Sequence, residues 1–138
     1  MNKIRIGIVG YGNLGRGTEL AIRQNPDTEL ACVFTRRDPS SLKILTENVP
    51  VYSLDDIRNH RDCADVLILC GGSASDLPVQ GPQLAELFCT VDSFDTHAKI
   101  PQYFAAVDES AKKGGNVSII EWGGWPVLYG VAGIYGGC

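Results

Sequence analysis

The stretch IRIGIVGYGNLG, residues 4–15, decides the fold of this chain. Its first part, residues 4–10, carries branched apolar residues and predicts a buried β-strand. The chain then runs through the pattern G-x-G-x-x-G at Gly10, Gly12 and Gly15. Between a strand and a helix, the first glycine makes a tight turn, the second lets the backbone approach a pyrophosphate, and the third lets the helix pack on the strand. The stretch therefore predicts a dinucleotide-binding unit.

Outward from this turn, short apolar runs alternate with helical stretches. The helix after the turn has Leu14, Leu20 and Ala21 on one side, and a later short helix has Ser53 as N-cap with Asp56 placed to close a capping box. Strands are predicted over 4–10, 29–35, 65–70, 89–94 and 116–120, and helices over 13–25, 53–60, 83–88 and 101–115. This alternation predicts an α/β fold, a doubly wound parallel sheet of the Rossmann type, with ligands beyond the carboxyl ends of its strands.

Composition narrows the class of protein. The chain has 138 residues, 44% apolar and 20% charged, with a formal net charge of −4, which fits one soluble domain and argues against a general nucleic-acid surface. No apolar run approaches the length of about 18 residues that a membrane span needs. The five cysteines include no C-x-x-C pair, so we expect no metal site and a reducing, cytoplasmic compartment.

The second predicted strand ends in VFTRRD, residues 33–38, where an NAD-specific site would carry an acidic residue. Thr35, Arg36 and Arg37 occupy that place, and Asp38 is expected to point away. An arginine fork matches the charge and shape of a 2′-phosphate, so the stretch predicts selection of NADP. The alternative is a solvated surface pair of arginines.

The loop CGGSASD, residues 70–76, follows the most apolar strand. Gly71, Gly72 and Ser73 are expected at the carboxyl edge of the sheet, near the nicotinamide ribose. The alternative is an ordinary turn into a helix capped by Ser75 or Asp76, and the two interpretations are compatible.

A further loop, VDSFDTH, residues 91–97, ends the next strand. Asp92 and Asp95 are expected at the sheet edge, where a carboxylate could bind an ammonium group of a substrate. The alternative is that each caps or turns the loop. His97 could act as a base in principle, but a place in a loop or at a helix start is favoured, because nothing in the sequence orients its ring.

Taken together, five stretches resemble the meso-diaminopimelate dehydrogenase family: IRIGIVGYGNLGRG, VFTRRD, DVLILCGGSASDLPVQGP, CTVDSFDTHAKIP and AKKGGNV. The resemblance implies a cytoplasmic, homodimeric, NADP-dependent enzyme of lysine biosynthesis. Such an enzyme oxidatively deaminates the D-centre of meso-2,6-diaminopimelate to L-2-amino-6-oxopimelate and ammonia. No catalytic side chain is expected, because the cofactor carries the hydride step and the protein orients the reactants.

The resemblance also implies which residues form the site. Substrate contacts would come from Asp95 and Trp125. Cofactor contacts would come from Tyr11, Gly12, Asn13, Leu14, Thr35, Arg36, Arg37, Cys70, Gly71, Gly72, Ser73, Ser93, Phe94, Asp95, Gly124, Trp125 and Pro126.

The carboxyl-terminal segment departs from the family. The family's Gly-Trp-Asp-Pro-Gly motif has its counterpart at Gly124, Trp125 and Pro126, but the aspartate is absent. We expect residues 1–121 to be an NADP-binding domain and residues 122–138 to be a truncated start of the substrate and dimerisation region, with the family's second domain missing. Alone, such a chain is expected to bind NADP weakly without useful dehydrogenase activity. The alternatives are a non-catalytic NADP-binding module or another reductase of the lysine and aspartate pathways.

Overall fold

The structure is a computed structural model that describes residues 2–72 and 75–120. Strands and helices alternate along the chain. The strands are β1 Ile4–Val9, β2 Thr28–Thr35, β3 Val51–Ser53, β4 Val66–Leu69, β5 Cys89–Asp92 and β6 Ser118–Ile119. The α-helices are α1 Asn13–Gln24, α2 Leu77–Leu87 and α3 Ile100–Gly114, with 3-10 helices at Pro39–Ser41, Leu54–His60 and His97–Lys99. The chain divides into two compact units, residues 1–70 and 71–138.

In the first unit the strand order is β3-β2-β1-β4, and every pair is parallel. Ile8 of β1 is in register with Val33 of β2 on one side and with Ile68 of β4 on the other. The chain therefore moves outward from β1 to β3 and returns to the opposite side of β1. This reversal makes the sheet doubly wound and creates a switch point between β1 and β4, where ligands of such sheets bind. The predicted fold class is confirmed.

The core of the first unit lies against the middle strands because a parallel sheet is covered on both faces. One buried cluster of this core consists of Ile6, Ile8, Tyr11, Ile22, Leu30 and Val33. Helix α1 contributes its Gly15, Glu19 and Ile22 face.

The predicted apolar side of α1 is not the side that packs. Leu14 and Leu20 are each 48% exposed, and Ala21 is exposed as well. The helix instead turns Gly15 inward, because a residue without a side chain lets the two backbones approach closely.

In the second unit β5 and β6 are parallel, with Thr90 in register with Ser118. Helices α2 and α3 pack against each other, and Asn116, beyond α3, donates to the carbonyls of Ala85 and Glu86 at 3.0 and 3.1 Å. Helix α3 ends close to the predicted residue 115. It has Lys112 and Lys113 in its last turn and is followed by Gly115, which is left-handed at φ 69°.

Two elements differ from the sequence-based prediction. Helix α2 begins at Leu77, well before the predicted start at residue 83, and it contains Pro78 near its start and Pro82 inside. The segment 53–60 forms a 3-10 helix, in which Ser53 is the N-cap as predicted and accepts from the amide of Asp55 at 3.3 Å. The expected capping box does not close, because Asp56 accepts from the side-chain amide of Asn59 at 2.5 Å. Strand β3 and the two shorter 3-10 helices were not predicted.

No helix within the described residues is both long and apolar enough to cross a membrane. The boundary near residue 121 lies where the described residues end, and the division of the chain into 1–121 and 122–138 stays a prediction.

Candidate dinucleotide-binding site

The glycine turn joins β1 to α1, and its backbone packs closely against the first turn of the helix. Gly10 has φ 89°, in the left-handed region, and its amide donates to the carbonyl of Phe34 at 2.9 Å. A Cβ at Gly15 would lie 2.5 Å from the carbonyl oxygen of Gly10. Gly10 thus makes the turn and Gly15 allows the helix to rest on it, as the motif predicts.

Gly12 leaves room above the first turn of α1. It is the N-cap of the helix, and no described heavy atom lies within 4 Å of a Cβ built on it. Within the described part of the chain, no side chain caps this helix and its first turn holds no acidic residue. Gly12, Asn13 and Leu14 are all exposed. First-turn amides lack intrahelical acceptors and carry the positive end of the helix dipole, so this end of α1 suits an anionic group.

Tyr11, between Gly10 and Gly12, is buried and belongs to a hydrogen-bond network that no motif in the sequence indicates. Its hydroxyl donates to Oε1 of Glu19, a carboxylate that is 0% exposed on the inner face of α1. The other oxygen of Glu19 accepts from the hydroxyl and amide of Thr46 at 2.6 and 2.8 Å, and the amide of Leu45 donates to Oε1 at 3.3 Å.

Burial and hydrogen bonds shift two pKa values in this network. Burial raises the pKa of Glu19, but the hydrogen bonds from Thr46 and Tyr11 outweigh it, so the net pKa lies below the ordinary 4.5. Burial, and then the hydrogen bond to Glu19, raise the pKa of Tyr11 to about 12. Glu19 is therefore a buried anion that fastens the glycine turn to the 45–46 segment. The sequence signal was a charged residue on the same helical face as Gly15 and Ile22.

The end of β2 lies beside the same turn. Thr35 is buried, and its hydroxyl accepts from the amide of Arg37 at 3.0 Å. The guanidinium of Arg37 donates from Nη2 to the carbonyl of Tyr11 at 2.6 Å. Arg36 and Arg37 are both exposed. The structure thus brings Arg37 into contact with the glycine turn, and Arg36 precedes it in the chain.

Asp38 does not face this site. Its carboxylate accepts from the amide and hydroxyl of Ser40 at 3.0 and 2.8 Å, as the N-cap of the 3-10 helix that follows. These bonds hold its pKa below the ordinary value. The carboxylate is therefore engaged in its own loop, as expected.

Cys70 directly follows β4, at the same edge of the sheet. Its amide donates to the carbonyl of Val9 at 2.8 Å, and its sulfur lies 3.7 Å from the hydroxyl of Thr18 on α1. Burial raises the pKa of its thiol. The predicted site residues of the first unit thus gather at the carboxyl ends of β1, β2 and β4: Tyr11, Gly12, Asn13, Leu14, Thr35, Arg36, Arg37 and Cys70.

In the second unit the loop before α2 is folded around Asp76. The amide of Gly72 donates to its carboxylate at 3.1 Å, and the amide of Asp76 donates back to the carbonyl of Gly72 at 2.9 Å. A Cβ at Gly71 would lie 2.8 Å from Cβ of Asp76. This loop therefore forms the turn into a helix that the sequence allowed, with Asp76 at the N-cap position. The Asp76 side chain bonds the loop rather than the first amides of the helix. Ser73 lies outside the described residues.

Asp92 has the structural role rather than the substrate-facing one. It is 2% exposed and accepts from the amide of Phe94 at 3.0 Å and from the hydroxyl of Tyr103 on α3. Of the two interpretations of Asp92, the structure supports the one in which it turns the loop, because its carboxylate bonds the loop and α3.

The remaining predicted residues of this loop differ in exposure. Phe94 is 1% exposed, and its ring stacks on Tyr103 with centroids 4.0 Å apart, so its side chain belongs to the core and only its backbone remains for a cofactor. Ser93 is half-buried and Asp95 is exposed. His97 begins the 3-10 helix His97–Lys99, as favoured from the sequence. Gly124, Trp125 and Pro126 lie outside the described residues.

The fold and the glycine turn define the class: this is a Rossmann-type dinucleotide-binding unit. A scan against models of protein families finds no match. The chain is 58% identical over 136 residues to a curated meso-diaminopimelate D-dehydrogenase of Lysinibacillus sphaericus, and this match covers 99% of the chain. It is 57% identical over 136 residues to the enzyme of the same name from Ureibacillus thermosphaericus.

Solved structures agree with these matches. A DAP dehydrogenase of C. glutamicum in complex with DAP has a TM-score of 0.83 at 41% identity, covering 98% of this chain and 41% of that one. An engineered D-amino acid dehydrogenase bound to NADP+ has a TM-score of 0.81 at 41% identity, covering 97% of this chain and 40% of that one.

The chain is thus related to the meso-diaminopimelate D-dehydrogenases over their amino-terminal part, and the resemblance seen in the sequence is confirmed. It spans about 41% of the length of the curated relatives it matches.

Proposed function

We propose that this chain binds NADP and that it is the cofactor-binding part of a meso-diaminopimelate D-dehydrogenase. The single observation that carries the proposal is the exposed pair Arg36 and Arg37 at the end of β2, with Arg37 bonded to the glycine turn at 2.6 Å. A carboxylate at this place would repel a 2′-phosphate, whereas two guanidinium groups attract it.

The residues at this edge of the first unit fit the cofactor. The amides at Asn13 and Leu14 would hold the pyrophosphate, since the space over Gly12 is open. Thr35, Arg36 and Arg37 would hold the adenosine ribose and its phosphate. When bound, the nicotinamide ring accepts a hydride from carbon. The chain's own residues orient the cofactor and supply the charge that selects it.

For the whole protein we propose oxidative deamination of meso-2,6-diaminopimelate at its D-centre in a cytoplasmic homodimer. The support is the identity of 58% across 99% of this chain to a relative of that name. Asp95, exposed in the loop after β5, is proposed as one anionic contact for a substrate ammonium group, and Trp125 as a further contact. Gly71, Gly72, Ser73, Ser93 and the Phe94 backbone are proposed to line the cofactor, with Gly124 and Pro126.

Calorimetric titration with NADP and NAD tests cofactor selection. Arg36→Ala removes one charged donor to the phosphate, which contributes about 1.5–3 kcal/mol, so NADP affinity should fall about tenfold or more while NAD affinity stays within about threefold. Arg58→Ala, another exposed arginine of the same unit, is the matched control and should change neither affinity. Equal affinity of the wild-type chain for both nucleotides would refute the proposed selection.

The proposed whole-protein activity has a separate test. Because the chain spans about 41% of its curated relatives, we expect the 138-residue chain alone to bind NADP without reducing it when meso-diaminopimelate is added. A full-length protein that contains this stretch should reduce NADP with that substrate. NADP binding without turnover in the full-length protein would support the alternative of a non-catalytic NADP-binding module.

A further inference from the structure

Two cysteines far apart in the sequence meet in the first unit. The sulfurs of Cys32 and Cys63 lie 2.8 Å apart, closer than two non-bonded sulfur atoms normally approach. Cys32 is on β2 and is 0% exposed, whereas Cys63, before β4, is half-buried. Neither residue belongs to the proposed nucleotide site.

The sheet brings this pair together across β1. Cys32 is in register with Gly7 of β1, and Gly7 is in register with Leu67 of β4. A Cβ at Gly7 would lie 3.1 Å from the sulfur of Cys32 and 3.3 Å from Cβ of Ala64. Because Gly7 has no side chain, the sulfur of Cys32 and the segment that carries Cys63 both occupy the space over it.

The surroundings of the pair distinguish the two thiols. The guanidinium of Arg5 donates to the carboxylate of Asp65 and to the carbonyl of Asp62, each at 3.0 Å, which holds this cation near Cys63. A hydrogen bond from Cys32, together with the charge of Arg5, lowers the pKa of Cys63, whereas the same bond and burial raise the pKa of Cys32. The more exposed sulfur is thus also the more readily ionised one, which is the pattern of a reactive cysteine beside a resolving one.

We propose that Cys32 and Cys63 form a redox-responsive dithiol that a low-molecular-weight disulfide converts into an intramolecular disulfide. Cys63 as thiolate attacks one sulfur of the reagent, breaks its S–S bond and releases one thiol. Cys32, losing its proton, then attacks the sulfur of Cys63 and releases the second thiol. The two cysteines are oxidised, the reagent is reduced, and the two protons end on the released thiols.

The cross-link would join β2 to the segment before β4 over a separation of 31 residues. A bridge over such a distance restricts the unfolded chain, so the oxidised form should resist unfolding more than the reduced form. Excess dithiol should reverse the effect. This device acts on the stability of the first unit and is independent of cofactor identity.

Oxidised glutathione added to the native chain, followed by peptide mapping, tests the proposal. We expect a linked peptide pair containing Cys32 and Cys63, and a urea midpoint higher by about 1–2 M that returns on reduction. Cys63→Ser should abolish both effects, and Cys89→Ser, which changes a half-buried cysteine of β5, should abolish neither.

Three outcomes would overturn the proposal. One is a stable mixed disulfide at Cys63 with no link to Cys32. Another is a link from Cys63 mainly to a different cysteine. The third is formation of the Cys32–Cys63 link as fast in the urea-unfolded chain as in the native chain, because native geometry would then contribute nothing.

Discussion

Replacing Glu19 by glutamine tests whether this buried carboxylate holds the glycine turn in place. Glu19 is 0% exposed and accepts hydrogen bonds from the hydroxyls of Tyr11 and Thr46 and from the amides of Leu45 and Thr46. The hydroxyls can rotate to suit an amide side chain. The backbone amides cannot, so in Glu19→Gln one of them faces a donor.

The expected magnitude follows from these bonds. Loss of charge assistance on the two hydroxyl bonds costs about 1 kcal/mol each, and a buried amide facing a donor costs about 1–3 kcal/mol. Relief of the carboxylate's desolvation offsets part of this cost. We expect Glu19→Gln to lower the free energy of unfolding by about 2–3 kcal/mol at neutral pH. Urea unfolding followed by circular dichroism measures it, and Glu29→Gln, an exposed glutamate of the same unit, is the control.

The pH dependence of this difference has a defined sign. The folded pKa of Glu19 lies below its ordinary value of 4.5, so its stabilising effect is complete above that value and is lost as pH falls through the folded pKa. The difference in free energy of unfolding between wild type and Glu19→Gln should therefore become smaller on acidification. A loss no larger than that of Glu29→Gln at neutral pH, or a difference that grows in acid, would refute the reasoning.

Three further substitutions test packing and hydrogen bonding at other points. Gly15→Ala should lower the free energy of unfolding by about 1–3 kcal/mol, because its Cβ would lie 2.5 Å from the carbonyl oxygen of Gly10. A Cβ at Gly17 would have no described heavy atom within 4 Å, so Gly17→Ala should raise the free energy of unfolding by about 0.5–1 kcal/mol. Thermal unfolding compares the two, and equal effects would contradict the close approach at Gly15. Tyr103→Phe removes a hydrogen-bond donor to the buried carboxylate of Asp92, so it should lower the free energy of unfolding by about 1–3 kcal/mol. Chemical denaturation measures this loss, and an unchanged free energy of unfolding would mean that this bond does not order the loop.

Predictability differed between local and long-range features. Strands β1, β2, β4 and β5 and helices α1 and α3 were predicted within a few residues, because branched apolar runs and a proline start with a glycine end are local signals. The start of α2 was missed, since Pro78 and Pro82 argue against a helix in isolation. Strand β3 was missed because three residues carry too little pattern.

The candidate site shows the same division. The glycine turn and the arginine pair could be identified from the sequence, because glycine spacing and adjacent arginines by themselves indicate phosphate binding. Glu19 and Thr46 could not be identified in this way, because a charged residue on a helix is usually exposed. Burial of Glu19 is tolerated only because hydrogen-bond donors from a distant segment bind its carboxylate.

The sequence by itself therefore determined the strand–turn–helix unit and the positive charge at the end of β2. The roles of Asp92 and Asp95 were undecided at that level, since both are carboxylates beside the same loop. Tertiary structure separated them: Tyr103 and the amide of Phe94 bind Asp92, while Asp95 remains exposed. Likewise, Cys32 and Cys63 became a pair only when β2 and β4 flanked Gly7. The physical reason is that a side chain's type is a local property, whereas its solvent exposure and partners depend on which distant segments the sheet brings beside it.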